Sequence, residues 1–121
     1  MGAKVVERIL RRFEAQAEGY GWVFDGSQLW EQAQEKGKSY AEAKYDIVYA
    51  LLDAIRKETG RDILFVIDAL PEDDDDTEFV IFEDGKVISH YHFVPTDLSL
   101  EFYRGLVEEI LQDLGIVEIT E

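Results

Sequence analysis

Cysteine and asparagine are both missing from this 121-residue chain. Without cysteine there is no disulfide, no thiolate metal site and no thiol nucleophile, a set of absences that suits a reducing compartment. Without asparagine there is no N-glycosylation sequon. Long apolar runs are absent too: the stretch Ile63 to Ile67 is far shorter than the roughly 20 residues of a membrane-crossing helix. Lys4, Arg8, Arg11 and Arg12 crowd the opening segment and leave no room for the apolar stretch of a signal peptide. Met1-Gly2 starts like a myristoylation motif, but Val6 stands where Ser or Thr is required. These features lead us to expect a cytoplasmic protein with no membrane partner.

Positive charge is scarce in one half only. Residues 1–60 carry 10 acidic and 9 basic side chains, whereas residues 61–121 carry 17 and 3, so the net charge of −15 divides into −1 and −14. Between Asp62 and Asp84 lie ten carboxylates and no Lys or Arg, with Glu72-Asp73-Asp74-Asp75-Asp76 at the centre. Self-repulsion of this size destabilises a compact domain and exceeds what solubility requires. A cation-rich partner relieves it, whereas nucleic acid is repelled, so direct nucleic-acid binding is not expected.

What the chain does have is a core. Hydrophobic residues make up 46% of it and Phe and Tyr together number thirteen, enough for one folded domain spanning 1–121. Val5, Val6, Ile9, Leu10 and Phe13 recur at helical spacing ahead of Gly19. A shorter helix is expected from near Ser27 to Gly37, burying Leu29, Trp30 and Ala33. Ser39 and Glu42 form a capping-box pattern for a third helix that ends at Gly60. Ile63 to Ile67, apolar at every position, reads as a buried central strand. Thr77–Glu83 and Lys86–Val94 read as strands joined by the hairpin turn Asp84-Gly85. Thr96 or Asp97 is placed to cap a last helix, with Leu98, Phe102, Leu106, Val107, Ile110, Leu111 and Leu114 on its core side. The expected architecture is α+β, a single two-layer domain: three N-terminal helices, a three-stranded antiparallel meander and a C-terminal helix, with Ile116 to Ile119 available as a short edge strand.

Signatures of catalysis are wanting. The serines at 27, 39, 89 and 99 lack a nucleophile elbow, and Gly19-Tyr20-Gly21 opens like a dinucleotide loop but has Phe24 in place of the third glycine. A calcium loop begun at Asp73 would need Gly and Glu where Glu78 and Asp84 stand. His90 and His92 lie two apart on a strand, the spacing of a two-histidine metal platform. If the Asp84-Gly85 turn sets the register throughout, Phe79 and Thr77 face them, and neither is a ligand. No cofactor or metal is therefore expected, and a metal enzyme built on His90 and His92 ranks last.

Binding readings remain. Tyr20, Trp22, Phe24 and Trp30 form an aromatic cluster whose commoner role is to cover one end of a core. Lys4, Arg8 and Arg11 line one face of the first helix, with Arg12 beside it, and docking against Glu101, Glu108 and Asp113 of the last helix is the simplest use for them. The same complementarity operating between two subunits makes a homodimer. The leading expectation is a non-catalytic inhibitor of the immunity-protein or nucleic-acid-mimic kind, which neutralises a basic partner such as a nuclease or a nucleic-acid-binding protein. Its contact residues are Glu72, Asp73, Asp74, Asp75, Asp76 and Glu78, with Tyr91 as the desolvated aromatic anchor. The alternative is a small acidic dimeric chaperone or adaptor for another protein. An adaptor needs an exposed apolar patch beside its acids, and a phosphate mimic needs carboxylates spaced like a nucleic-acid backbone.

Overall fold

Punctuation by capping residues and glycine divides the first sixty residues into three helices. A computed structural model describes residues 3–69, 77–93 and 97–116. It runs α1 (Ala3–Gly19), α2 (Leu29–Glu35), α3 (Tyr40–Thr59), β1 (Ile63–Ala69), β2 (Thr77–Glu83), β3 (Lys86–Phe93) and α4 (Leu100–Asp113). This is the small α+β arrangement expected: four helices and a three-stranded antiparallel sheet. Ile116 is the last described residue. Residues 117–121, and with them most of the proposed edge strand, lie outside the described residues, as do 94–96 and 70–76.

The longest helix, α3, has the sharpest boundaries. Ser39 Oγ accepts from the Glu42 amide at 3.1 Å while Glu42 Oε1 accepts from the Ser39 amide at 3.0 Å, so both halves of the capping box are closed. Gly60 ends it in the left-handed region at φ 70°, where a side chain would be strained. Its apolar face is wide enough to bury Ala43, Ile47, Val48, Leu51, Leu52 and Ile55 against both α1 and α2. Helix α1 contributes Ile9, Leu10 and Phe13 to that core. After Gly19 the chain doubles back, with the Tyr20 and Trp22 amides donating to the Ala17 carbonyl at 3.0 and 3.1 Å. Trp22 drops fully into the core, where its indole N–H donates to Asp46 at 3.2 Å.

Two helices differ from expectation in which aromatic they bury. On α2, Leu29 and Ala33 face inward, but Trp30 is 41% exposed. A helix advances about 100° per residue, so Trp30 is turned off the face that Leu29 and Ala33 share. Gln32 is on that face instead, and its buried amide is satisfied: it accepts from the Val23 amide at 3.0 Å and donates to the Val23 carbonyl and Ser27 Oγ, both at 2.8 Å. On α4, Phe102 is 40% exposed and Tyr103 is the buried ring, packed edge-on against Phe13 at 5.0 Å. Asp97 does not cap this helix. It pairs with Gln28 in an isolated antiparallel bridge, flanked by hydrogen bonds from Leu98 to Ser27 and from Gly26 to Leu98, and α4 begins three residues later.

Among the described residues the sheet order is β1-β2-β3, which puts the Ile63–Ile67 run at the edge and not at the centre. Ile63, Phe65 and Ile67 face the helices, while Leu64 and Val66 face away and are 61% and 50% exposed. The hairpin turn forms as expected, with Asp84 and Gly85 at φ 54° and 76°. The register it sets survives for two pairs, Glu83↔Lys86 and Phe82↔Val87, and then a bulge intervenes, so that Ile81 pairs with Ser89. One extra residue on β3 shifts every later partner by one and turns each side chain to the opposite face. His90 therefore stands opposite Val80, and His92 opposite Glu78, in place of Phe79 and Thr77.

Candidate protein interface

The bulge on β3 decides what the outer face of the sheet displays. Residues directly opposite one another share a face, so the outer face reads in rows: Leu64, Phe82 and Val87, then Val66, Val80 and His90, then Glu78 and His92. The first two rows are apolar but for His90, and Leu64, Val66 and Val87 (53% exposed) stand in solvent. The third row is polar, with His92 Nε2 lying 3.3 Å from a Glu78 carboxylate oxygen. A sheet face open to water is ordinarily polar. Here it is the side away from the core, yet it carries aliphatic side chains.

Of the expected contact residues, Glu78 belongs to this face. Glu72 to Asp76 lie in the chain between β1 and β2, outside the described residues. Tyr91 is corrected: it is only 2% exposed, stacked on Phe79 at 5.1 Å on the helix side, with its hydroxyl donating to Asp113 at 2.8 Å. Without the bulge it would have faced outward opposite Glu78; with it, Tyr91 is core. Burial and the neighbouring Asp113 carboxylate raise its phenol well above the ordinary range.

A second apolar feature borders β1. Among the described residues β1 pairs only with β2, and none of them forms a strand along its other edge. Tyr45 and Tyr49, one turn apart on α3, stack at 6.1 Å, and Tyr49 meets Phe65 of β1 edge-on at 5.8 Å. Both tyrosines are exposed, whereas Ile81, directly across from Phe65 on β2, is fully buried. Tyr49 therefore brings an exposed ring against the helix side of β1. The aromatic cluster near α2 divides: Trp22 is buried and Phe24 packs on Phe13 at 5.2 Å, while Tyr20 and Trp30 are exposed.

Two arginines of the first half are paired within that half, not with the acids of the second. Arg8 and Arg12 do not reach α4. Both donate to Glu58 of α3, at 3.2 and 2.8 Å, and these bonds, Arg12 first, hold the Glu58 carboxyl below its ordinary range. The link between α1 and α4 has the opposite sense, Glu7 with Arg104. Arg61 grips Glu83 with two bonds of 2.6 Å and donates to the Leu114 carbonyl at 3.1 Å, fastening the start of β1 to the end of α4. Glu101, Glu108 and Glu109 remain on the exposed side of α4. Lys44, fully buried on α3 with its ammonium 4.5 Å from the Tyr40 ring, has no counterpart in the sequence reading, because a lysine on an apolar helical face is indistinguishable there from a snorkelling one.

Among the described residues no group of three His, Asp or Glu side chains could hold a metal ion. The hollow along α1, about 460 Å³ and lined by Arg8, Arg11, Arg12, Ala15, Gln16 and Glu58, is shallow, and its central arginines are already bound to Glu58. No helix among the described residues is long and apolar enough to cross a membrane. No family model matches the chain, and neither curated proteins nor solved structures show a significant match to it.

Proposed function

We propose that this chain is a non-catalytic acidic adaptor that binds a cation-rich protein through the outer face of its sheet. The observation that carries the reading is the pair of apolar rows, with Leu64, Val66 and Val87 half or more exposed, on a chain of net charge −15. An apolar centre within charged surroundings is the anatomy of a protein-binding patch. The carboxylates speed encounter with a positively charged partner and select against acidic ones, while the aliphatic rows supply the desolvated contact. A phosphate mimic needs only the carboxylates, and leaves those three side chains without a use.

The test is retention of proteins from a lysate of the source cells on immobilised protein, in low and high salt. Wild type is expected to hold a basic protein that salt releases, and the triple variant L64S/V66S/V87S to lose it. The inhibitor of nucleic-acid-binding proteins predicts the reverse dependence: retention survives that triple change and is abolished when Asp73 to Asp76 become serine. If no basic protein is retained by wild type, both readings fall.

A further inference from the structure

We infer that the partner engages this protein by strand addition: an extended segment with an aliphatic centre and Lys or Arg at both ends pairs with the open edge of β1. The inference rests on the adaptor reading and names its mode of contact. Edge strands of natural sheets are guarded by lysine, proline, bulges or inward charge, because an open row of N–H and C=O groups templates another strand. The far edge of this sheet has such guards, since β3 begins with Lys86, bulges between Val87 and Ser89, and carries His90 and His92 outward. Ile63-Leu64-Phe65-Val66-Ile67 has none, and its only irregularity falls between Ile67 and Ala69. The unguarded edge is the one flanked on both faces by exposed apolar side chains. A strand laid about 4.8 Å from β1 alternates its side chains between two surfaces: one set meets Leu64 and Val66 on the outer face, the other meets Tyr45, Tyr49 and Phe65 on the helix side.

Charge selects the occupant. In the chain the run Ile63–Ile67 is bracketed by Asp62 and Asp68, and no Lys or Arg occurs between Asp62 and Asp84. A second copy would bring two of these acid-flanked, cation-free runs together, and like charges brought close on adjacent strands are destabilising. A foreign strand with cations at its ends and aliphatic residues between them complements this charge pattern.

The experiment uses the whole chain and a phage-displayed library of linear random dodecapeptides. Enriched peptides are expected to alternate aliphatic residues, with Lys or Arg at the flanks. Bound to isotope-labelled protein, they are expected to slow exchange of those β1 amides that do not bond to β2. Val66→Lys, which places a guard on the edge strand, should weaken them about tenfold or more, while Val87→Lys on the far strand stays within about twofold. Equal weakening by both variants without β1 protection overturns strand addition and leaves the adaptor reading standing, with the partner lying flat across the face. Enriched peptides with helical spacing also overturn it. Failure to enrich any cation-bearing peptide sinks the adaptor reading itself. Two further results overturn the foreign strand: protection of the same amides in free monomeric protein, meaning cover by the chain's own residues, or protection that grows with concentration, meaning a second copy.

Discussion

Replacing Tyr91 by Phe separates a core role from an interface role for the residue whose position the sequence misleads most. Phe keeps the ring that stacks on Phe79 and removes only the hydroxyl that donates to Asp113 at 2.8 Å. A hydrogen bond to a charged acceptor contributes about 1.5–3 kcal/mol. Asp113 is exposed, so water replaces the lost donor and no buried acceptor is orphaned; the cost falls below that range, at about 1–1.5 kcal/mol. For 121 residues the unfolding entropy is about 0.25 kcal/mol/K near 60 °C, so the melting temperature falls by about 4–6 °C. Tyr91→Ala removes the ring as well, costs about 3–5 kcal/mol and lowers the midpoint by about 12–20 °C. Thermal unfolding followed by circular dichroism measures both, and a pH series sharpens the first. Because burial raises the folded-state pKa of this phenol, its contribution is complete below the unfolded value of 10.0 and is lost as pH climbs above it. The gap between wild type and Tyr91→Phe therefore narrows above pH 10, while Tyr103, also raised by burial, titrates in both proteins. Affinity for selected peptides should not change. An unaltered midpoint together with weakened peptide binding would show that Tyr91 faces a partner, and the bulged register would be wrong.

Two other predictions concern local devices. Ser39→Ala opens the capping box of α3 and should cost about 1 kcal/mol, or about 4 °C of midpoint by the same conversion; no loss in a melting curve would mean the box is not formed. The carboxyls of Glu58, Glu83 and Glu7 are all held low by bonds from arginine, so the stability they provide is present above the ordinary carboxylate pKa of 4.5 and is lost as pH falls through their lowered values. Arg61→Gln should therefore be less stable than wild type at pH 7 by urea titration, with the difference shrinking below about pH 4.5; a difference that grows on acidification contradicts the Arg61–Glu83 assignment.

What the sequence determined by itself was whatever is encoded within a few residues. The Ser39–Glu42 box, the Gly60 terminator, the apolar faces of α1 and α3 and the Asp84-Gly85 turn are each set by local chemistry, and each stands where the residues place it. The candidate interface was legible only in part. Glu78 stands on this face, but the exposure of Leu64 and Val66 was hidden, because an unbroken apolar run reads alike whether both faces are covered or one is left bare. Tertiary structure alone decided that β1 stands at the edge, since strand order depends on which segments find each other across the chain. It also decided the faces of His90, Tyr91 and His92, because one extra residue in β3 inverts an alternation of period two, and neither Ile88 nor its neighbours announces a bulge.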